Sequence, residues 1–327
     1  MSDLIPGDNR EGLDNQSTVM PAPSASGSVP DLRSALRLFL VVFIMLLLFG
    51  SIAQAWHFEY GMIITQVIFV LLPAIWYWRR YNLNQVVFSR LKPLQLRYLP
   101  VIVILAGAFW LLNMVFATGL VHALMEFGYE PIVVIEPPQN LREYLGYVVV
   151  LSIFAGICEE VLFRGTIMPS MENRGLVPAI VFSSLLFAML HGSLLNLVST
   201  FTLGLVMAVI VIKTGSLWGG IIYHMINNFI AVTYLFIAGQ YETAAEVEPQ
   251  GFIAALPILL LALAGAWFGL RLLHKQTGAE PLLKNRQGWF PRGWRYWPFF
   301  AGLVLFILMA TLELAIGYKW IDLGGIQ

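Results

Sequence analysis

Apolar residues in this chain come in long, nearly unbroken stretches, unlike the alternating or one-faced patterns of soluble strands and helices. The stretches run from Leu36 to Trp56, Gly61 to Trp78, Leu99 to Leu124, Tyr144 to Met168, Leu176 to His191, Leu194 to Ile212, Leu217 to Ala238, Phe252 to Leu273 and Pro298 to Gly317. A hydrocarbon layer about 30 Å thick needs about 20 apolar residues of helix to cross it. The pattern therefore predicts an all-α fold, a polytopic transmembrane helical bundle of about nine spans. Leu176 to His191 is the shortest stretch and falls below spanning length, so it is expected to tilt or to be sheltered by its neighbours.

Orientation follows from lysine and arginine near the ends of the stretches. Arg33 and Arg37 precede the first; Arg79, Arg80, Arg90, Lys92 and Arg97 fill the second connection; Lys275, Lys284, Arg286, Arg292 and Arg295 precede the last. These belong on the cytoplasmic side, whereas Glu126, Glu130, Glu136, Glu242, Glu246 and Glu248 mark the other. Nine spans with a cytoplasmic N-terminus satisfy every basic connection, and eight would strand one. The expected location is a multi-pass protein of a bacterial inner (plasma) membrane. Trp76, Trp78, Trp289, Trp294 and Trp297 are expected to anchor at the interfaces.

Composition narrows the function classes. Hydrophobic residues make up 58% of the 327 and charged residues 12%, against roughly 25% charged in a soluble domain. Lysine plus arginine equal aspartate plus glutamate at 19 each, so no basic excess invites nucleic acid. The lipid bilayer is the expected partner. Cys158 is the single cysteine, which excludes an intramolecular disulfide and a cysteine metal cluster.

Chemistry concentrates in one region. Aspartate occurs only at positions 3, 8, 14, 31 and 322, which removes a paired intramembrane aspartate; HExxH and GxSxG are absent too. Cys158-Glu159-Glu160-Val161-Leu162-Phe163-Arg164 instead puts two carboxylates and a guanidinium into an apolar helix. Each costs roughly 2.5 to 3.5 kcal/mol at a helix centre, so each needs a partner. Glu160 and Arg164 share a face, four apart; Glu159 is turned about 100° away. Arg164 is expected to neutralise Glu160 and leave Glu159 free.

His191 ends the following stretch, and His224 precedes Asn228 by one turn. If Gly175 is a turn between antiparallel helices, Glu159 and His191 each stand 16 residues from it, about 24 Å along their helices. His224 lies about 15 Å beyond the Lys213-Thr214-Gly215 turn, the same level if the first hairpin, with its polar Met171 to Arg174 tip, protrudes about 9 Å by the same rise. An acid, two imidazoles and an amide at one depth can activate water: glutamate as general base, histidine and Asn228 on the developing charge. His191, His224 and Glu159 would equally suit Zn²⁺ with an open water position. Intramembrane ionisable groups also mark proton- or ion-coupled transporters, and a non-catalytic immunity or scaffold protein could keep the same bundle. Glu313 and His122, near span ends, read as snorkelling or capping groups.

The series Glu159-Glu160-xxx-Arg164, Phe187-xxx-His191 and His224-xxx-Asn228 resembles the three motifs of the CAAX-protease and bacteriocin-processing family, which includes type II CAAX prenyl endopeptidases. The Thr214-Gly215-Ser216-Leu217-Trp218 turn resembles the family's connector before the third motif. The resemblance implies an intramembrane endopeptidase acting on a membrane-associated protein or peptide. Its glutamates would activate water, its histidines and Asn228 would stabilise the tetrahedral intermediate, and Arg164 would support the glutamate pair. The implied organisation is a disordered tail over 1–33, N-terminal transmembrane helices over 34–143, a catalytic core over 144–238, and C-terminal helices with a basic cytoplasmic loop over 239–327.

Overall fold

The computed structural model describes residues 30–132, 135–241, 252–278 and 294–321. Most of the expected tail, Glu242, Glu246, Glu248, Lys284, Arg286, Arg292, Trp289 and the side chain of Trp294 lie outside the described residues. Every apolar stretch read from the sequence is helical. Among the described residues eight helices are long and apolar enough to cross a membrane: α1 Leu32–Trp56, α2 Phe58–Arg80, α3 Leu96–Met125, α4 Leu141–Arg174, α6 Leu197–Thr214, α7 Leu217–Gln240, α8 Ala255–Thr277 and α9 Trp297–Gly317. The ninth, α5 Leu176–Leu190, has 15 residues and spans only about 22 Å. The nine expected spans are thus eight of spanning length and one short helix sheltered in the bundle.

Local chemistry sets the ends. Asp31 accepts from the Ser34 N–H at 3.0 Å and starts α1. Asn140 accepts from the Glu143 N–H at 3.1 Å, while Glu143 reaches back to the Gln139 N–H at 2.8 Å, a reciprocal cap for α4. Gly215, with φ at +65°, closes α6 in the left-handed conformation.

The molecule is apolar outside as well as inside. Leu48, Ile52, Leu261 and Leu308 are each more than half exposed, as side chains facing lipid should be. Burial ranks the helices: half of the most apolar window of α4 is inside the protein, against 22% for α8. So α4 is central, packed against α2 and α7, while α8 lies on α3 and α9 on α1 at the periphery.

Among the described residues four π-helical turns interrupt the long helices, at Leu46–Gly50, Thr65–Leu71, Val148–Phe154 and Phe163–Ile167. Such turns loosen the backbone ladder and re-aim side chains. Within those of α4, the Leu151 carbonyl accepts from Asn228 at 2.8 Å, and the Gly165 carbonyl accepts from Ser89 at 2.5 Å and Trp78 at 3.3 Å. Trp78 is therefore a buried packing residue rather than the interface anchor expected of it.

The turn between α4 and α5 is tied to its neighbours. Pro169, Ser170 and Met171 are buried, Glu172 is held by Arg90 through two 2.7 Å hydrogen bonds, and Arg174 donates to Tyr296 at 2.6 Å. These contacts, with Leu217 N–H on the Arg90 carbonyl at 2.8 Å, gather the basic segments at one end of the bundle. Glu130, paired with Lys319, and Glu313 lie toward the other.

Candidate active site

Two of the turns in α4 bracket Ala155–Leu162, the segment bearing Glu159 and Glu160, and the two carboxylates diverge as their spacing requires. Glu160 is wholly buried, and Arg164 Nη1 donates to its Oε1 at 2.6 Å. The second Arg164 terminal nitrogen donates to the Gly204 carbonyl of α6 at 2.8 Å, and the guanidinium lies over the Phe187 ring at 4.6 Å. His224 Nδ1 stands 3.4 Å from the same Glu160 oxygen, close enough for charge attraction though off the angle of a hydrogen bond. A fully desolvated carboxylate and guanidinium are thus neutralised together, as a low-dielectric interior demands.

Glu159 faces the other way, into a cavity of about 480 Å³. His191, His224 and Asn228 line the same cavity. Glu160 and Arg164 do not; they sit behind it. His191 Nδ1 is 2.8 Å from the Phe187 carbonyl, which places the N–H on Nδ1 and leaves Nε2 as an acceptor. Phe187 is the hub of the group: both imidazoles meet its ring edge-on, His191 at 4.8 Å and His224 at 5.8 Å. Asn228 uses one N–H on Leu151 and accepts from Asn227 at 3.3 Å, which leaves a second N–H.

The possible Zn²⁺ set does not assemble in this arrangement. Among the described residues no three His, Cys, Asp or Glu side chains group as metal ligands. Oε1 of Glu159 is taken by an amide.

That amide belongs to Gln66 of α2, whose Nε2 donates to Glu159 Oε1 at 2.8 Å. Gln66 was missed by motif reasoning, as were the cavity-lining Asn113, Asn196, Ser199, Thr200 and Asn227. The available signal was a lone polar side chain in the middle of an apolar span, true of Gln66 and Asn113.

Fold and site together define a polytopic helical membrane protein with a buried Glu–Arg–His cluster set behind a cavity of about 480 Å³. Residues 141–230 match the family model of the type II CAAX prenyl endopeptidase Rce1-like proteins. The matched region is under a third of the chain, yet it contains all six candidate residues, from Glu159 to Asn228. No curated protein and no solved structure matches the chain.

Proposed function

We propose that this protein is an intramembrane endopeptidase that hydrolyses a peptide bond of a membrane-associated protein or peptide by glutamate-activated water. One observation carries the reading: Glu159, His191, His224 and Asn228, from three different stretches of chain, line one cavity. The match to Rce1-like endopeptidases over the same residues supports it.

In this mechanism the Glu159 oxygen not held by Gln66 takes a proton from water, while His191 Nε2 accepts the second hydrogen and orients the molecule. The water oxygen bonds to the scissile carbonyl carbon, and the C=O π electrons move onto the carbonyl oxygen. Asn228 and His224 donate to that oxyanion. Collapse of the intermediate breaks the C–N bond, and Glu159 returns its proton to the leaving nitrogen. The basic end faces the cytoplasm by the positive-inside rule, with α5 counted as a short ninth crossing.

The test is cleavage by the purified protein in proteoliposomes. The panel pairs unmodified transmembrane peptides with peptides ending in a prenylated cysteine motif, the substrate for which the matched family is named. Glu159→Gln and His191→Ala should each lower kcat by roughly 10²- to 10⁴-fold, the usual contribution of general acid–base groups. Undiminished turnover in correctly folded Glu159→Gln would end the reading.

A further inference from the structure

Gln66 lies outside the region matched to the endopeptidase family, on a helix from the N-terminal third of the chain. It is 5% exposed within a span that carries no charge from Tyr60 to Trp78. Burying an amide there costs free energy unless a partner repays it, and the partner is one oxygen of Glu159, 2.8 Å away. The π-helical turn Thr65–Leu71 begins one residue before Gln66 and packs on the Glu159 segment of α4. No other hydrogen bond to the Glu159 carboxylate is found among the described residues.

The ionisable groups around Glu159 are Cys158, Glu160, Arg164, His191 and His224, on α4, at the end of α5 and on α7. Each can change charge or is committed elsewhere: Arg164 is bound to Glu160, and His191 Nδ1 to the Phe187 carbonyl. Gln66 differs in kind. It is a donor that does not titrate, so it can fix the carboxylate without neutralising it, as Arg164 does for Glu160.

We propose that Gln66 is the positioning residue of Glu159: its amide locks Oε1 and so turns the second carboxylate oxygen toward the water and substrate in the cavity. This rests on the hydrolytic reading above for its catalytic consequence, and on the geometry alone for the hydrogen bond. Gln66→Met removes the amide at similar volume and with lower polarity, so it should insert and fold. Gln66→Asn keeps the amide and loses the reach of one methylene.

Both variants should lower kcat by about 10-fold or more with KM within about two-fold of wild type, as expected when a reacting group loses its orientation and not its substrate contacts. An infrared band of the Glu159 carboxyl, isolated by subtracting the Glu159→Gln spectrum in each background, should move in both variants. An unmoved band, a loss confined to KM, or a Gln66→Asn enzyme equal to wild type overturns the proposal. If wild-type protein cleaves nothing in the panel, the hydrolytic reading falls with it. The band still decides then: moved, the hydrogen bond stands; unmoved, it does not.

Discussion

Arg164 is among the largest wholly buried side chains of the protein, and its charge is met by Glu160 at 2.6 Å. Removing one member of such a pair strands the other in a medium that cannot solvate it, a loss of about 3 to 5 kcal/mol. Arg164→Met alone should therefore lower the thermal midpoint in detergent sharply. Glu160→Leu combined with Arg164→Met should recover much of the loss, because an apolar pair carries no desolvation penalty. The recovered protein should remain without peptidase activity, since His224 has lost the carboxylate 3.4 Å from its Nδ1. This pair was legible in the sequence, because spacing of four on a helix fixes a shared face. Gln66 was not: no sequence rule pairs a residue with one 93 positions away, and only packing of α2 on α4 brings them together.

Helix α6 meets the buried pair at a residue without a side chain. A Cβ at Gly204 of α6 would stand 2.9 Å from Ser184 Cβ and 3.1 Å from an Arg164 terminal nitrogen, whereas one at Gly107 of α3 would meet nothing within 4 Å. Gly204→Ala should destabilise by about 1 to 3 kcal/mol, as overpacking does. Gly107→Ala should be neutral or stabilising by up to about 1 kcal/mol, because alanine is the better helix former; paired denaturation midpoints check both. The loop after α5 depends on a different element. Glu313 of α9 accepts from Ser193 Oγ and from the Leu194 N–H, each at 2.6 Å, so it caps, as its place near a span end suggested, and what it caps is the segment following His191. Glu313→Ala should speed hydrogen exchange at the Leu194 amide and lower turnover about tenfold through a loosened His191, while the midpoint barely moves. Helix identities followed from apolar run length, but the π-helical turns did not: an apolar stretch reads the same whether or not one residue is inserted in the ladder, so the aim of Gln66 and the Leu151 carbonyl that receives Asn228 stayed hidden.

At the scale of the whole molecule, charge and connectivity argue for one orientation. Tyr81 and Ser34 meet at 3.0 Å, Arg90 binds Glu172, and Lys213 donates to the Gly278 carbonyl at 3.3 Å, so α1, α2, α4, α6 and α8 each place a start or an end at one end of the bundle. Arg33, Arg79, Arg80, Lys92, Arg97, Arg174 and Lys275 follow these contacts to the same end. The last turn of α9 lies at the opposite end, where the Glu130 N–H donates to the Gly317 carbonyl at 2.8 Å. A chain that starts at one end and finishes at the other makes an odd number of traverses, which requires α5 to carry the backbone most of the way across despite its 15 residues. His191, which follows the last turn of this short helix, is exposed on one side and lines the cavity on the other. Basic residues are retained on the cytoplasmic side, so the Gln85 end should face the cytoplasm and the Phe127 end should not. With Cys158 replaced by serine, Gln85→Cys should react with a membrane-impermeant thiol reagent only in inside-out vesicles. Phe127→Cys, 78% exposed in its native form and one traverse of α3 away, should react only in right-side-out vesicles. Labelling of both positions from the same side would break the odd traverse count, and the reversed pattern would place the basic end outside.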